Sequence, residues 1–305
     1  MKAVAEVQTL ETPQPVEKSP SQFAIFSELI KARLTTLVLL TTAVGFYLAA
    51  RGPLDWMRFF HALFGTALVA GGAAALNQFI EREHDAKMER TEDRPLPSGN
   101  IQPETVLIFG GIISCAGLIY LATQVNLLTS ILGIVTLLSY LFVYTPLKRL
   151  TTLNTVIGAI PGALPPLMGW TAARGEINIE GWSLFAILFF WQLPHFLAIA
   201  WMYREDYARG GYMMLPVVDP EGIRTGKQAV SHTLGLISVS LFPFLLGLTG
   251  GIYCAGAIVF GAIFLVAAIR FSNRLTVSHA RQLFFASIIY LPLLLGLMIF
   301  DKIKL

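Results

Sequence analysis

The 305-residue chain has little charge, little cysteine and no nucleotide-binding loop of the P-loop type. Charged residues make up 13% of it, whereas 55% is hydrophobic and the mean hydropathy is +0.64, which excludes an ordinary soluble globular protein. Its two cysteines, Cys115 and Cys254, lie in apolar runs and lack the spacing of metal ligands or of a disulfide framework. We interpret them as small buried hydrophobic residues. Because Gly-Lys is nowhere followed by Ser or Thr, P-loop nucleotide chemistry is disfavoured.

What the chain has instead is nine long apolar runs, each close to the roughly 20 residues that cross a bilayer. They lie at about 34–50, 59–80, 106–123, 127–144, 153–172, 182–203, 231–248, 252–270 and 283–300. We therefore expect an all-α, polytopic membrane protein with nine transmembrane helices, comprising residues 22–305. Residues 1–21 contain three prolines and scattered charges, and no apolar core precedes Gln22. This composition predicts a disordered cytoplasmic leader rather than a signal peptide.

The distribution of Lys and Arg predicts the orientation. With a cytoplasmic N-terminus, most of the 22 basic residues fall in inner segments, as the positive-inside rule requires. We expect a multi-pass protein of the cell (plasma) membrane with its C-terminus outside. The net charge of +3 then reflects helix orientation and contact with anionic lipid, and it does not indicate a nucleic-acid partner.

The most polar stretch runs from Asn77 to Pro97 and holds six carboxylates and four basic side chains. Asn77, Glu81 and Asp85 are spaced by four residues, so on a helix they project from one face. Three such oxygen-bearing groups can hold a hard divalent cation such as Mg²⁺, and the basic residues that follow could bind phosphates. The stretch predicts a magnesium and diphosphate site, on a helix that continues until Pro95 and Pro97 stop it.

Three further segments have polar residues at helix ends on the same predicted side. Lys31 and Arg33 open the first helix, where topological anchoring and phosphate contact by Arg33 are both open interpretations. Tyr144, Lys148 and Arg149 follow the fourth helix and are equally compatible with anchoring or with binding an anionic headgroup. After the sixth helix comes a second polar cluster containing Tyr203, Arg204 and Asp206. Helices one to four and five to eight thus each place a polar loop after their second member, and we expect the two loops to meet at one mouth.

The fifth and sixth helices contain unusual residues for a purely structural span. The fifth is rich in Gly and Pro between Asn154 and Gly169, which predicts a broken helix whose free backbone groups line a cavity. The sixth contains Gln192, Pro194 and His195, which also favour a lined cavity. A lone His in a membrane is more often a hydrogen-bonded structural residue than a ligand, so a binding role for His195 is a hypothesis.

A magnesium-bearing carboxylate site backed by cations suits the departure of diphosphate from an allylic carbon, because metal ions and basic side chains stabilise the charge that develops on the leaving oxygens. An apolar helical cavity keeps the resulting carbocation from water.

Several motifs together resemble those of the UbiA-type intramembrane prenyltransferases, in particular the branch that farnesylates haem B. They are the Asn77-x3-Glu81-x3-Asp85 run through Arg90, Arg94 and Pro97, Tyr144-x3-Lys148-Arg149, the Asn154 to Trp170 run, Trp191-Gln-x-Pro-His195-Phe, and Tyr203-Arg204-x-Asp206-Tyr207-x2-Gly210-Gly211. The resemblance covers about residues 28–300. It implies a nine-helix bundle that transfers farnesyl from farnesyl diphosphate to a vinyl group of haem B, making haem O for terminal oxidases directly or as the precursor of haem A.

The resemblance also implies roles for individual residues. Asn77, Glu81 and Asp85 would hold Mg²⁺ against the diphosphate, and Asp206 would hold a second ion. Where quinone prenyltransferases of this superfamily tend to have Asp, this chain has Glu81 and Gly210, which leaves the second metal site thinner in carboxylates. The candidates for substrate contact are Arg33, Arg90, Arg94, Tyr144, Lys148, Arg149, His195, Tyr203 and Arg204.

Two alternatives stay open at this point. A prenyltransferase acting on a quinone or another aromatic acceptor would share the fold, and Glu81 and the run around His195 separate this chain from it. A polytopic transporter with an internal repeat would share the helix count, but transporters place binding groups near the midplane, whereas these carboxylates are predicted at helix ends.

Overall fold

The computed structural model describes residues 21–303 and consists of helices joined by short loops. The predicted leader lies outside the described residues, apart from Ser21, which accepts a hydrogen bond from the backbone of Ala24 as the N-cap of the first helix. Over residues 21–303, nine helical segments are long and apolar enough to span a membrane, which confirms the predicted number.

The helices in chain order are α1 (Gln22–Leu29), α2 (Ala32–Ala49), α3 (Trp56–Asp85), α4 (Pro103–Gln124), α5 (Leu127–Leu138), α6 (Thr145–Leu147), α7 (Asn154–Arg174), α8 (Ile179–Met202), α9 (Arg204–Arg209), α10 (Leu215–Val218), α11 (Ile223–Ser240), α12 (Phe242–Leu245), α13 (Gly251–Arg274) and α14 (Val277–Phe300). Between α5 and α6 the chain continues without a break as a π-helical segment, Ser139–Tyr144. This segment lies directly before Lys148, one of the predicted phosphate-binding residues.

Two packed groups of helices build the bundle. In one, α3 packs against α4 and α2 packs against α7; in the other, α8, α11, α13 and α14 pack against one another, and the α7–α8 contact joins the groups. The largest core cluster runs through both groups and includes Trp170, Trp191, Trp201 and Phe264. The two groups of helices therefore share one hydrophobic core.

Helix α7 differs from the prediction. Its three internal prolines, Pro161, Pro165 and Pro166, do not break it, and it is continuous from Asn154 to Arg174. Its small residues serve close packing: a Cβ at Gly169 would collide with the backbone carbonyl of Thr42 on α2. The expectation of a broken helix was therefore wrong, because neighbouring helices stabilise a proline-containing span that would be unstable alone.

Two smaller expectations were also wrong. Helix α3 ends at Asp85, ten residues before Pro95, and residues 86–100 form a series of turns. Cys115 is exposed on the outer surface of the bundle and Cys254 is half-buried, so neither belongs to the packed interior. At apolar spans the outer surface is the lipid-facing surface, where a small apolar thiol is equally acceptable.

The ends of the spans fall into two sets, and one set carries the polar loops. We call residues 86–102, which follow α3, the first polar loop and residues 203–222, which follow α8, the second polar loop. Both lie at the same end of the bundle, because the side chain of Asp206 contacts the backbone of Glu89 and Arg90. We call this end the polar end. The predicted meeting of the two loops is confirmed.

Candidate functional site

Three oxygen-bearing side chains lie on one buried face at the end of α3, as their four-residue spacing predicts. Asn77, Glu81 and Asp85 are 1%, 5% and 1% exposed, and we call them the oxygen stripe. Buried charge and amide groups need polar partners, and each member of the stripe has a cationic partner from a different segment of the chain.

The first partner is Lys31, between α1 and α2. Its Nζ donates to Asn77 Oδ1 at 3.1 Å, while Asn77 Nδ2 donates to Thr145 Oγ1 at 3.1 Å. Lys31 has φ 47° and ψ 56°, a left-handed conformation that costs a non-glycine residue about 1–2 kcal/mol. Burial, and then the nearby guanidinium of Arg94, lower the pKa of its ammonium group to about 7. A strained, poorly solvated cation is thus held beside the stripe.

The second partner is Lys148, whose Nζ donates to both carboxylate oxygens of Glu81 at 2.8 and 3.1 Å. The side chains are 15% and 7% exposed, so this is a buried ion pair. Burial lowers the pKa of Lys148, but Glu81 outweighs that effect and the pKa is raised well above its usual value. The same Nζ lies 4.7 Å from the ring centre of Tyr144, a cation–π contact. Lys148 is therefore positively charged at any physiological pH.

The third partner is Arg94 from the first polar loop, whose Nη1 donates to Asp85 Oδ2 at 2.6 Å. The hydroxyl of Thr91 donates to the backbone carbonyl of Asp85 at 2.8 Å, which folds the loop back over the end of α3. Arg94 is half-buried and its side chain is 20% exposed, so it borders both the stripe and the solvent.

Asp206 on α9 joins the two polar loops. Its Oδ1 accepts from the backbone N–H of Glu89 at 3.0 Å and its Oδ2 from that of Arg90 at 3.2 Å, while Arg209 Nη2 donates to Oδ1 at 2.6 Å. Burial raises the pKa of this carboxyl, but these hydrogen bonds prevail and lower it below the usual value. The second loop thus presents an ionised carboxylate to the turn that follows the stripe.

A second link between the loops runs through His84. Its Nδ1 donates to the backbone carbonyl of Gly210 at 2.8 Å, and Arg149 Nη1 donates to its Nε2 at 3.0 Å. Since the carbonyl of Gly210 can only accept and the guanidinium of Arg149 can only donate, the two contacts match the tautomer of His84 that carries its proton on Nδ1. Arg149 therefore contacts the end of α3 at His84, the residue before Asp85.

Basic, acidic and aromatic side chains line a cleft of about 510 Å³ that includes Asp206. The guanidinium of Arg90 lies 5.3 and 5.4 Å from the ring centres of Tyr203 and Tyr207, and that of Arg204 lies 4.6 Å from the ring centre of Trp201. These cations are stacked on aromatic rings rather than paired with acids. Arg90 and Arg204 line this cleft and can bind an anionic group.

Two predicted site residues lie apart from this cluster. Arg33 is exposed on α2, two residues after Lys31, which contacts the stripe. His195 lies at the α8–α14 interface, stacked between Trp191 and Phe284 with both ring centres 5.0 Å away. Ser287 donates to the carbonyl of Phe284, so His195 Nδ1 donates to Ser287 Oγ at 2.7 Å and leaves a lone pair on Nε2.

Sequence reasoning missed three residues of the cluster. Lys31 was treated as an anchor, although its position two residues before Arg33 was a signal that either could contact the stripe. Thr145 and Arg209 had no signal beyond lying next to predicted residues. Each of the three belongs to the cluster because it contacts a predicted residue. Periodicity along one helix does not predict contacts between different segments.

The oxygen stripe fits a magnesium ion by the type of its donors, since two carboxylates and an amide oxygen are ligands that Mg²⁺ prefers. Within residues 21–303 no group of three or more His, Cys, Asp or Glu side chains is close enough to share an ion. An ion held by the stripe would therefore complete its six ligands with water or substrate oxygens, as is usual for Mg²⁺.

Comparisons with known proteins identify the family of the chain. The profile described as the UbiA prenyltransferase family matches residues 38–289. The protoheme IX farnesyltransferase of Solibacter usitatus is 48% identical over 286 residues, which cover 91% of this chain and 98% of that protein.

Solved structures share the fold at low sequence identity. A structure of a digeranylgeranylglyceryl phosphate synthase has a TM-score of 0.78 and 18% identity, covering 93% of this chain and 99% of that one. A UbiA homologue from Archaeoglobus fulgidus bound to GPP and Mg²⁺ has a TM-score of 0.62 and 15% identity, covering 90% and 99%.

Proposed function

The chain belongs to the UbiA prenyltransferase family, and we propose that it makes haem O. The farnesyl group of farnesyl diphosphate would be transferred to a vinyl group of haem B as diphosphate leaves, and water would complete the addition to give a hydroxyethylfarnesyl side chain. Support for this acceptor comes from the Solibacter relative, which is named for this reaction and is 48% identical over nearly its whole length. The observation that carries the proposal is that all three members of the oxygen stripe are buried and each is paired with a cation: Lys31, Lys148 and Arg94.

These pairings suit a site that exchanges partners. Asn77, Glu81 and Asp85 would hold Mg²⁺, and the ion would neutralise part of the charge on the diphosphate and favour its departure. Lys31, Lys148 and Arg94 would then donate to phosphate oxygens instead of to the stripe. A buried ion pair contributes little net stability, because desolvation offsets its attraction. The free-energy cost of exchanging one anionic partner for another is therefore small.

The second polar loop closes the site from the other side. Asp206 is the carboxylate that could hold a second ion, but both of its oxygens accept hydrogen bonds from the turn at Glu89 and Arg90. Binding an ion there would require this turn to move. Arg90, Tyr203 and Arg204 in the cleft beside it, together with Arg149 and Tyr144, are the remaining candidates for substrate contact.

The acceptor would bind in the apolar interior or at a helix interface that opens to lipid. His195 stacks with Trp191 and Phe284 to form an aromatic cluster at the α8–α14 interface that is suited to pack against a flat porphyrin, and within residues 21–303 no group bonds to its Nε2. We propose that His195 lies in the haem pocket. Its replacement by Ala should weaken haem B binding, measured by absorbance titration, while binding of farnesyl diphosphate stays unchanged.

The polar end is proposed to face the cytoplasm, because most Lys and Arg residues lie in segments on this side. The protein would then be a multi-pass protein of the cell membrane with its C-terminus outside. The product would pass within the membrane to a haem A synthase or a terminal oxidase, since a farnesylated haem is too apolar to diffuse through water.

The deciding experiment uses the purified protein in detergent with farnesyl diphosphate, haem B and Mg²⁺. We expect a farnesylated haem by chromatography and mass spectrometry, equimolar release of diphosphate, and loss of both on chelation of Mg²⁺. Menaquinone and ubiquinone precursors serve as control acceptors. Transfer to such an aromatic acceptor but not to haem B would contradict the proposal.

A further inference from the structure

Tyr212, on the second polar loop, has a buried hydroxyl without a hydrogen-bond partner. The residue is 3% exposed, and within residues 21–303 no group bonds to its Oη. Buried tyrosine hydroxyls usually find a partner, and an unpaired one is unfavourable. Tyr253, a buried tyrosine at the opposite end of the bundle, follows this rule, because its Oη donates to the carbonyl of Ser240 at 2.7 Å.

The ring of Tyr212 is held firmly. It packs with Met88, lies 5.6 Å from the ring of His84 and 6.0 Å from that of Tyr207, and Lys148 Nζ is 5.7 Å from its centre. The backbone next to it is also fixed, because Met213 N–H donates to the carbonyl of Lys148 at 2.7 Å. The hydroxyl is thus fixed in place by packing rather than by a bond of its own.

The surroundings of this hydroxyl are those of the proposed diphosphate site. Burial, and then the charge of Glu81, raise the pKa of Tyr212, with further effects from Lys148, Asp85 and Arg94. The hydroxyl is therefore a neutral donor. Its ring lies against Lys148, the partner of Glu81, and against His84, which precedes Asp85 in the chain. An oxygen of a phosphate bound at this site would provide the acceptor that this O–H donor lacks.

We propose that Tyr212 is a further substrate-binding residue, whose hydroxyl donates to an oxygen of the bound diphosphate. The inference rests on the proposed function, since it assigns a donor to the same site. It differs from the cations of the site in one respect: Tyr212 has no partner to give up when the anion arrives, so its whole contribution appears as affinity.

The test is Tyr212→Phe, which keeps the ring and removes the hydroxyl. We expect the Kd for farnesyl diphosphate, and for inorganic pyrophosphate, to rise about tenfold in the presence of Mg²⁺, the effect of losing a hydrogen bond to a charged group. The Tm of the free protein should stay unchanged or rise, because the variant removes an unpaired buried hydroxyl. Binding of haem B should not change.

Tyr253→Phe is the matched control, because it removes a hydroxyl that has a partner and lies far from the site. It should lower the Tm and leave both Kd values unchanged. Wild-type affinity in Tyr212→Phe, or a weaker affinity accompanied by a lower Tm, would overturn the role of Tyr212 alone. A wild-type protein that does not bind farnesyl diphosphate at all would overturn the proposed function and this inference with it.

Discussion

The carboxylate of Asp206 accepts a hydrogen bond from the backbone N–H of Arg90 at 3.2 Å, across 116 positions of the chain. This bond, with its neighbour to Glu89, joins two loops that follow different helices of the bundle. Asp206, from the second polar loop, therefore stabilises the turn that follows the oxygen stripe. A substitution in one loop should change the conformational stability of the other.

Asp206→Asn should loosen the first polar loop and reduce transfer at least tenfold. The amide keeps one acceptor oxygen but loses the charge that Arg209 and two backbone donors share. Hydrogen exchange of residues 86–94 should become faster. Glu205→Gln, at the exposed neighbouring position, is the control and should change neither exchange nor activity. Unchanged exchange in Asp206→Asn would show that the link does not hold the loop.

The link between the loops should also respond to acid. The pKa of Asp206 lies below its usual value, so the stability it contributes is complete above the usual Asp pKa of about 3.9 and is lost as the pH falls through the lowered value. The link is therefore intact between pH 6 and 8. Hydrogen exchange of residues 86–94, corrected for the intrinsic rate, should not change over this pH range. A link lost in the neutral range would contradict the assignment.

Asn77→Ala and, separately, Asp85→Ala should abolish transfer while the protein still inserts and folds. Each removes an oxygen donor of the proposed magnesium site, and Asp85→Ala also frees Arg94. Isothermal titration should show loss of the magnesium-dependent part of farnesyl diphosphate binding. Glu83→Gln changes an exposed carboxylate of the same helix and should behave as wild type. Normal turnover in either Ala variant would refute the metal assignment.

Lys148→Met should destabilise the protein by about 3–5 kcal/mol, because it leaves the buried carboxylate of Glu81 without its cation. Adding Glu81→Gln should restore much of this stability, since the pair is then replaced by uncharged groups. Thermal unfolding in detergent measures both effects. Transfer should stay lost in the double variant, so stability and activity would separate. Additive losses in stability would mean that the two side chains do not interact as the structure places them.

Gly169→Ala should impair folding, because a methyl group there would meet the carbonyl of Thr42 and push α2 away from α7. Gly296→Ala on α14 is the matched control, since open space surrounds a Cβ at that position. The control should be neutral or slightly stabilising, because Ala is the better helix former. The yield of monodisperse protein and its Tm provide the comparison, and equal values for the two variants would contradict the close approach.

Hydropathy and periodicity predict much of this structure, including nine spans, the shared face of Asn77, Glu81 and Asp85, and the meeting of the two polar loops. Hydropathy and periodicity do not predict the features that depend on contacts with another segment of the chain. Which of Lys31 and Arg33 contacts the stripe depends on the left-handed backbone at Lys31, and no periodic pattern encodes that conformation. Likewise, Pro161 and its neighbours indicate a broken helix by local rules, but packing against α2 keeps α7 continuous.

The π-helical segment Ser139–Tyr144 determines the direction in which the residues between it and α7 point around the helix axis. A π turn contains one residue more than the α turn it replaces and is common near functional sites. Deleting any single residue within it would leave hydropathy and length almost unaltered but would rotate the downstream residues by about 100° around the axis. Lys148 would then turn away from Glu81. A one-residue gap in this span would therefore be more damaging than most substitutions in it, although it removes no polar group.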